Sequence, residues 1–236
     1  MSKMKNGYLF KTLSMMTLPL ALSTTTALAQ DCGDVFNTPG RVGPWSYTDP
    51  FNWTKASMPG SKFKSRIHVV ESAHFTSKVR NLVSGNTSAE PLGDISYTLE
   101  VIPNHPQALF AVIRLSQKTK GSMLYNPGNT SRKYLARQRN AECWFKRAVD
   151  FDPDSPTVHM LHGIYQYKKG NYKKSEQAYR ISEKIHIDRD TESPELYYNM
   201  GLLFHKKGDI ASAKVYADKA YSKNYPLPGL KRLLSE

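Results

Sequence analysis

Two stretches of the chain spell one pattern: GIYQYKKGNYKKSEQAY at residues 163–179 and GLLFHKKGDIASAKVY at residues 201–216. Each gives a glycine, an aromatic-rich half turn, Lys-Lys-Gly and then a second amphipathic run. That order reads as two antiparallel helices joined by a tight turn, and it is repeated. Gly170 and Gly208 stand where the turn needs a residue without a side chain. Ser175 and Ser182 in the first copy, and Ala213 and Ala220 in the second, are small at the positions where two helices of a hairpin must approach closely. Pro156 and Pro194 suit the first helical position, where φ is preset and no N–H is wasted.

With the leading glycine at position 8 of a unit of about 34 residues, the turn glycines fall at 15, the small residues at 20 and 27, and the prolines at 1. On these residues the stretch from 163 to 220 resembles two tetratricopeptide (TPR) repeats, the second unit being the better match. His159 and His162 replace an aromatic and a leucine, and serine twice replaces alanine. The leading glycines lie 38 residues apart, so the connection at residues 187–196 carries four extra, which repeat proteins place on a loop. The fold this implies is mainly α: antiparallel helical hairpins of a short TPR-like solenoid.

Weaker units extend the pattern toward the N-terminus. FDPDSP at residues 151–156 and VIPNHP at 101–106 share a layout that marks unit boundaries, with an insertion expected at 118–134, where the text is polar and turn-rich. Helices are expected at 107–117 and 137–151, the latter with Ala141 and Ala148 at the two small positions. Residues 91–101 read as a lone second helix, and GLKRLLSE at the C-terminus as a cap with a polar outer face. The helical domain therefore covers residues 91–236.

Lys3, Lys5 and Lys11 precede an uncharged run ending in Ala27-Leu28-Ala29, the layout of a cleaved secretory signal over residues 1–29. Its removal takes three lysines and no acid, lowering the formal charge from +13 to +10. A charge of that sign favours anionic partners and says nothing about fold. Export and the lack of a nucleic-acid motif argue against nucleic acid, and no later run is long enough to span a bilayer. The chain is expected to be periplasmic or secreted. In an oxidising compartment its two cysteines, Cys32 and Cys143, read as a disulfide that closes about 110 residues and constrains the unfolded chain by roughly 4–5 kcal/mol.

Residues 30–90 read as an irregular, aromatic-rich N-terminal arm carrying Trp45, Tyr47, Phe51, Trp53 and Phe63. These rings are expected to pack on the helices, with sugar stacking as the alternative. RIHVVESAHF at residues 66–75 is β-branched and apolar enough for a strand but too short to exclude a helix, and TSKVRNLVSG at 76–85 reads as a short helix with Val79, Leu82 and Val83 on one face, ended by Gly85. His68, Glu71 and His74 invite a metal reading, but neither a helix nor a strand puts that spacing on one face.

No nucleophile elbow, phosphate-binding glycine loop or interpretable carboxylate pair is present, so the reading is of a non-catalytic protein without cofactor or metal. The resemblance implies a concave groove lined by the first helix of each unit. Its candidate residues are Phe110, Arg114 and Lys118; then Met160, Ile164, Tyr167 and Lys168; then Tyr198, Leu202, His205 and Lys206. An apolar lining with a basic rim suits a protein or peptide client with apolar anchors and nearby Asp or Glu. Two alternatives stand beside it: the arm folds into the groove, or the protein binds anionic glycans or lipid surfaces through its charge and the arm's aromatics.

Overall fold

The computed structural model describes residues 32–120 and 140–236, all within the unit Asp31–Glu236. The expected signal, 1–29, and all but the first three residues of the expected insertion lie outside the described residues. Among the described residues the regular structure is ten α-helices, two short 3-10 turns (Pro50–Trp53 and Lys55–Ser57) and no strand.

The repeat turns form as their glycines require. Helix α6 (Pro156–Lys168) and α7 (Tyr172–Asp188) are joined through Gly170 at φ +79°, and α8 (Pro194–Lys206) and α9 (Ile210–Tyr221) through Gly208 at φ +81°. Both turns close with the same two bonds: Gly170 N–H to the Tyr167 carbonyl and Asn171 N–H to that of Gln166, matched by Gly208 to His205 and Asp209 to Phe204, all at 2.9–3.0 Å. Prolines open both first helices, behind Ser155 and Ser193, whose hydroxyls accept from Val158 N–H and Leu196 N–H. The pairing is antiparallel, because Ser175 Oγ donates to the Gly163 carbonyl (2.9 Å) and Ser182 Oγ to that of Pro156 (2.8 Å). Serine in place of alanine thus adds a cross-hairpin hydrogen bond without widening the contact.

The four extra residues between the units are not a loop. They lengthen α7, which runs 17 residues against 12 in α9, and Asp190 then reverses the chain at φ +51°. An added helical turn keeps its backbone paired, which a looped insertion would leave to water.

Upstream, α3 (Pro91–Val101), α4 (Pro106–Lys118) and α5 (Ala141–Phe151) repeat the layout, with Ala141 and Ala148 buried at the close approach. The helices pack mostly on their chain neighbours, and the first helices of successive units also touch, α4 on α6 and α6 on α8. That order is repeat-like, each unit completing the core of the next. At the C-terminus α10 (Gly229–Ser235) packs on α8 and α9, Leu230 filling the space that Gly201 leaves open.

The arm is less irregular than its composition suggests. Residues 66–74 form helix α1 (Arg66–His74) rather than a strand. Ser65 caps it by accepting from His68 N–H, and Ile67 and Val70, one turn apart, bury against Val101 and Ile102. Burial at i and i+3 outweighs the β-branched preference. α2 (Ser77–Arg80) is a single turn; Val79 and Leu82 are buried, but Val83 is 76 % exposed because the chain reverses at Leu82 (φ +58°), three residues before Gly85. α1 packs on α3, and α2 on α3 and α4, so these helices cover the N-terminal end of the array.

Before α1 the arm is stitched down by polar contacts. Cys32 is bonded to Cys143 on α5. One turn along α5, buried Arg147 donates to the carbonyls of Cys32, Gly33 and Asp34 and to Thr38 Oγ1. Arg41 pairs with Glu100 at 2.6 Å, Trp45 N–H donates to the Val101 carbonyl, and Tyr47 N–H to Asn104 Oδ1.

Candidate functional site

Helices α4, α6 and α8 bring the expected groove residues onto successive first helices, but they do not leave them equally open. On α4, Phe110 is 45 % exposed, whereas Arg114 donates to the Arg80 carbonyl (3.1 Å) and Lys118 to that of Leu82 (3.5 Å). Both cations face the C-terminal end of α2, whose free carbonyls attract positive charge. The arm therefore covers this end of α4.

On α6 and α8, Met160, Ile164 and Tyr198 are buried in the main core. Tyr198 packs on Tyr225 (ring centroids 4.7 Å apart), and its hydroxyl lies beneath the cap helix near Gly229. Burial raises the phenol pKa of Tyr198 and of Tyr167, which lies against Tyr172 and keeps its proton as well. Tyr167, Leu202 and His205 are half-buried, while Lys168 and Lys206 are exposed. What remains open is thus narrower than the sequence suggests: Phe110, the edges of Tyr167, Leu202 and His205, and two lysines at the same repeat position. Neither lysine has an acidic partner among the described residues.

The other candidates resolve into structural roles. His105, fully buried, caps α4 by accepting Ala108 N–H on Nδ1 at 3.2 Å, which leaves Nε2–H to donate to Glu71 (3.1 Å). Burial lowers its pKa, with Glu71 opposing, so the ring stays neutral. His74 Nδ1 meets Asp94 (2.8 Å) and Thr87 Oγ1 (2.9 Å). Asp94 also accepts from Asn86, Thr87 and Ser88 backbone N–H groups and both hydroxyls. Burial alone would raise its pKa, but these donors hold it down at about 2. Ser, His and Asp meet here, yet the hydroxyls donate to the carboxylate and His74 offers one nitrogen to both partners. The arrangement closes the 85–90 loop; it does not activate a nucleophile, which needs a base relayed between hydroxyl and acid. Glu71 and His74 thus point to different partners, and no group of metal ligands occurs among the described residues.

On the arm, Trp53 and Phe51 are 44 and 47 % exposed. Trp53 Nε1–H donates to the Tyr47 carbonyl (2.7 Å), and the Arg66 guanidinium lies 5.2 and 5.4 Å from the Trp45 and Phe51 rings. Trp45 and Tyr47 pack on α1 and α3 as expected, whereas Phe51 and Trp53 remain accessible.

Sequence reasoning missed the Arg147 staple, the His105 cap and the Asp94 loop anchor. Only the last left a sign, an acid in the first turn after a Ser/Thr-rich loop. Comparison with protein-family models, with curated proteins and with solved structures finds no match for the chain.

Proposed function

We propose that the protein is an exported TPR-like adaptor that binds an acidic segment of another protein along the inward face of α6 and α8. The observation that carries this reading is the pair Lys168 and Lys206: same repeat position, exposed, and without an acidic partner among the described residues. Beside them the edges of Tyr167, Leu202 and His205 supply apolar contact, and Phe110 extends the strip on α4. The formal charge, +13 for the full chain and +10 once residues 1–29 are removed, favours acidic partners. Export is supported by the Cys32–Cys143 disulfide, which persists in oxidising compartments, and no described helix is long and apolar enough to cross a membrane.

The test is affinity capture from an envelope extract at high salt, where surface charge alone is screened. The bait is compared with a Lys168→Glu, Lys206→Glu, Phe110→Ser variant; Tyr198 is left intact because it is core. A partner held by the native protein and lost by the variant supports the reading. Equal recovery on both excludes the groove as the docking site. A second reading, glycan stacking on the arm, is favoured by the fixed, exposed ring of Trp53 and is tested by Trp53→Ala in the same capture.

A further inference from the structure

Where α4 and α6 end and α5 begins, the fold leaves a cavity of about 460 Å³ whose wall includes Lys120, Lys168, Lys169, Tyr165, Ser116 and Gln117. Every polar side chain among these can donate a hydrogen bond, and no described residue of the wall is acidic. Tyr165 is 5 % exposed and its ring is stacked on Phe145 at 5.1 Å, yet its hydroxyl bonds no described residue and opens into the cavity. Burial pushes its pKa up to about 12, so it is a donor at any physiological pH.

The lysines are not needed to finish their helices. The last carbonyls of α4 accept from Thr119 and Lys120 N–H groups, and those of α6 from Lys169, Gly170 and Asn171. One carboxylate, Glu142, lies within electrostatic reach of Lys169 and Tyr165, but its hydrogen bonds go to His162 at 3.3 Å and to Gln166 Nε2 at 2.9 and 3.0 Å, and none to a lysine of the wall. Asn140, the cap of α5, also borders the cavity and brings the positive end of that helix dipole, set against the negative ends of α4 and α6.

We propose that this cavity is a binding site for a phosphate-type oxyanion. Three ammonium groups act as point charges suited to a tetrahedral, multiply charged ion. Ile113 and the Tyr165 ring give one wall an apolar surface, which an organic phosphate could use. Lys168 is shared with the groove reading, but Lys120 and Tyr165 belong to the cavity alone and Lys206 to the groove alone, so the two fail separately.

The test is isothermal titration of the purified full chain with inorganic phosphate and with phenyl phosphate, at constant ionic strength near 0.15 M set by sodium chloride. Saturable binding should fall about tenfold in Lys120→Gln and several-fold in Tyr165→Phe, which keeps the stacked ring, and stay unchanged in Lys206→Gln and Lys214→Gln. Equal affinity for both probes identifies the free ion as the ligand; tighter phenyl phosphate identifies an organic phosphate. No binding above the chloride background, or equal loss in Lys214→Gln, overturns the proposal. Circular dichroism of each variant confirms that the fold is retained.

Discussion

His105 shows how a single side chain ties the arm to the helical array. Its ring caps α4, bonds Glu71 on α1, and lies 4.5 and 4.9 Å from the Tyr47 and Phe75 rings. Because burial holds its pKa below the ordinary 6.5, the unfolded chain takes up the proton first as pH falls. Its contribution is therefore whole above about pH 6.5 and declines below it. Thermal melts from pH 7.5 to 5 should show a falling midpoint in the native protein and a flatter profile in His105→Asn, which keeps a capping side chain. Asp94 acts in a lower window: its depressed pKa stabilises above about pH 4, and that is lost toward pH 2. The serines of α7 carry a separate prediction. Ser175→Ala and Ser182→Ala should each lose about 1 kcal/mol in urea unfolding, although alanine is the residue the repeat pattern prefers.

At the scale of elements, the glycines divide by what surrounds them. A Cβ on Gly163 would lie 2.3 Å from the Tyr179 ring, which is buried and cannot yield, whereas one on Gly201 would meet only the tip of Leu230. Gly163→Ala should therefore cost about 1–3 kcal/mol and Gly201→Ala less. Gly170→Ala meets nothing within 4 Å, so its cost, about 1–2 kcal/mol, is the left-handed backbone alone. Chemical denaturation of the three variants separates these mechanisms. The Cys32–Cys143 link spans 111 residues, and replacing both cysteines by serine should remove roughly 2–5 kcal/mol. Arg147 alone would then hold residues 32–38, so limited proteolysis should cut the arm faster while leaving α6 to α9 intact.

At the scale of the whole molecule, the array was legible where local pattern decides the structure. Turn glycines, prolines at helix starts and small residues at close approaches are local rules, so the hairpins at 156–221 and the cap could be read directly. The arm was not, because its structure depends on distant partners: α1 becomes a helix by burying Ile67 and Val70 on residues 101–102, and Arg147 orders residues 32–38 from over 100 residues away. The candidate groove residues could be placed on the first helices by position, but their exposure could not be read. Position assigned Arg114, Lys118 and Tyr198 to the inward face; only the packed fold gives Arg114 and Lys118 to the arm and Tyr198 to the cap.

The most direct test of groove binding uses the lysines spread over both sides of the hairpins. A captured client treated with a lysine-reactive cross-linker, then digested and analysed by mass spectrometry, reports which lysines lie beside it. The account predicts cross-links concentrated at Lys168 and Lys206 and reduced by added acidic competitor. Cross-links concentrated instead at Lys173, Lys184 and Lys214, on the second helices α7 and α9, would contradict it.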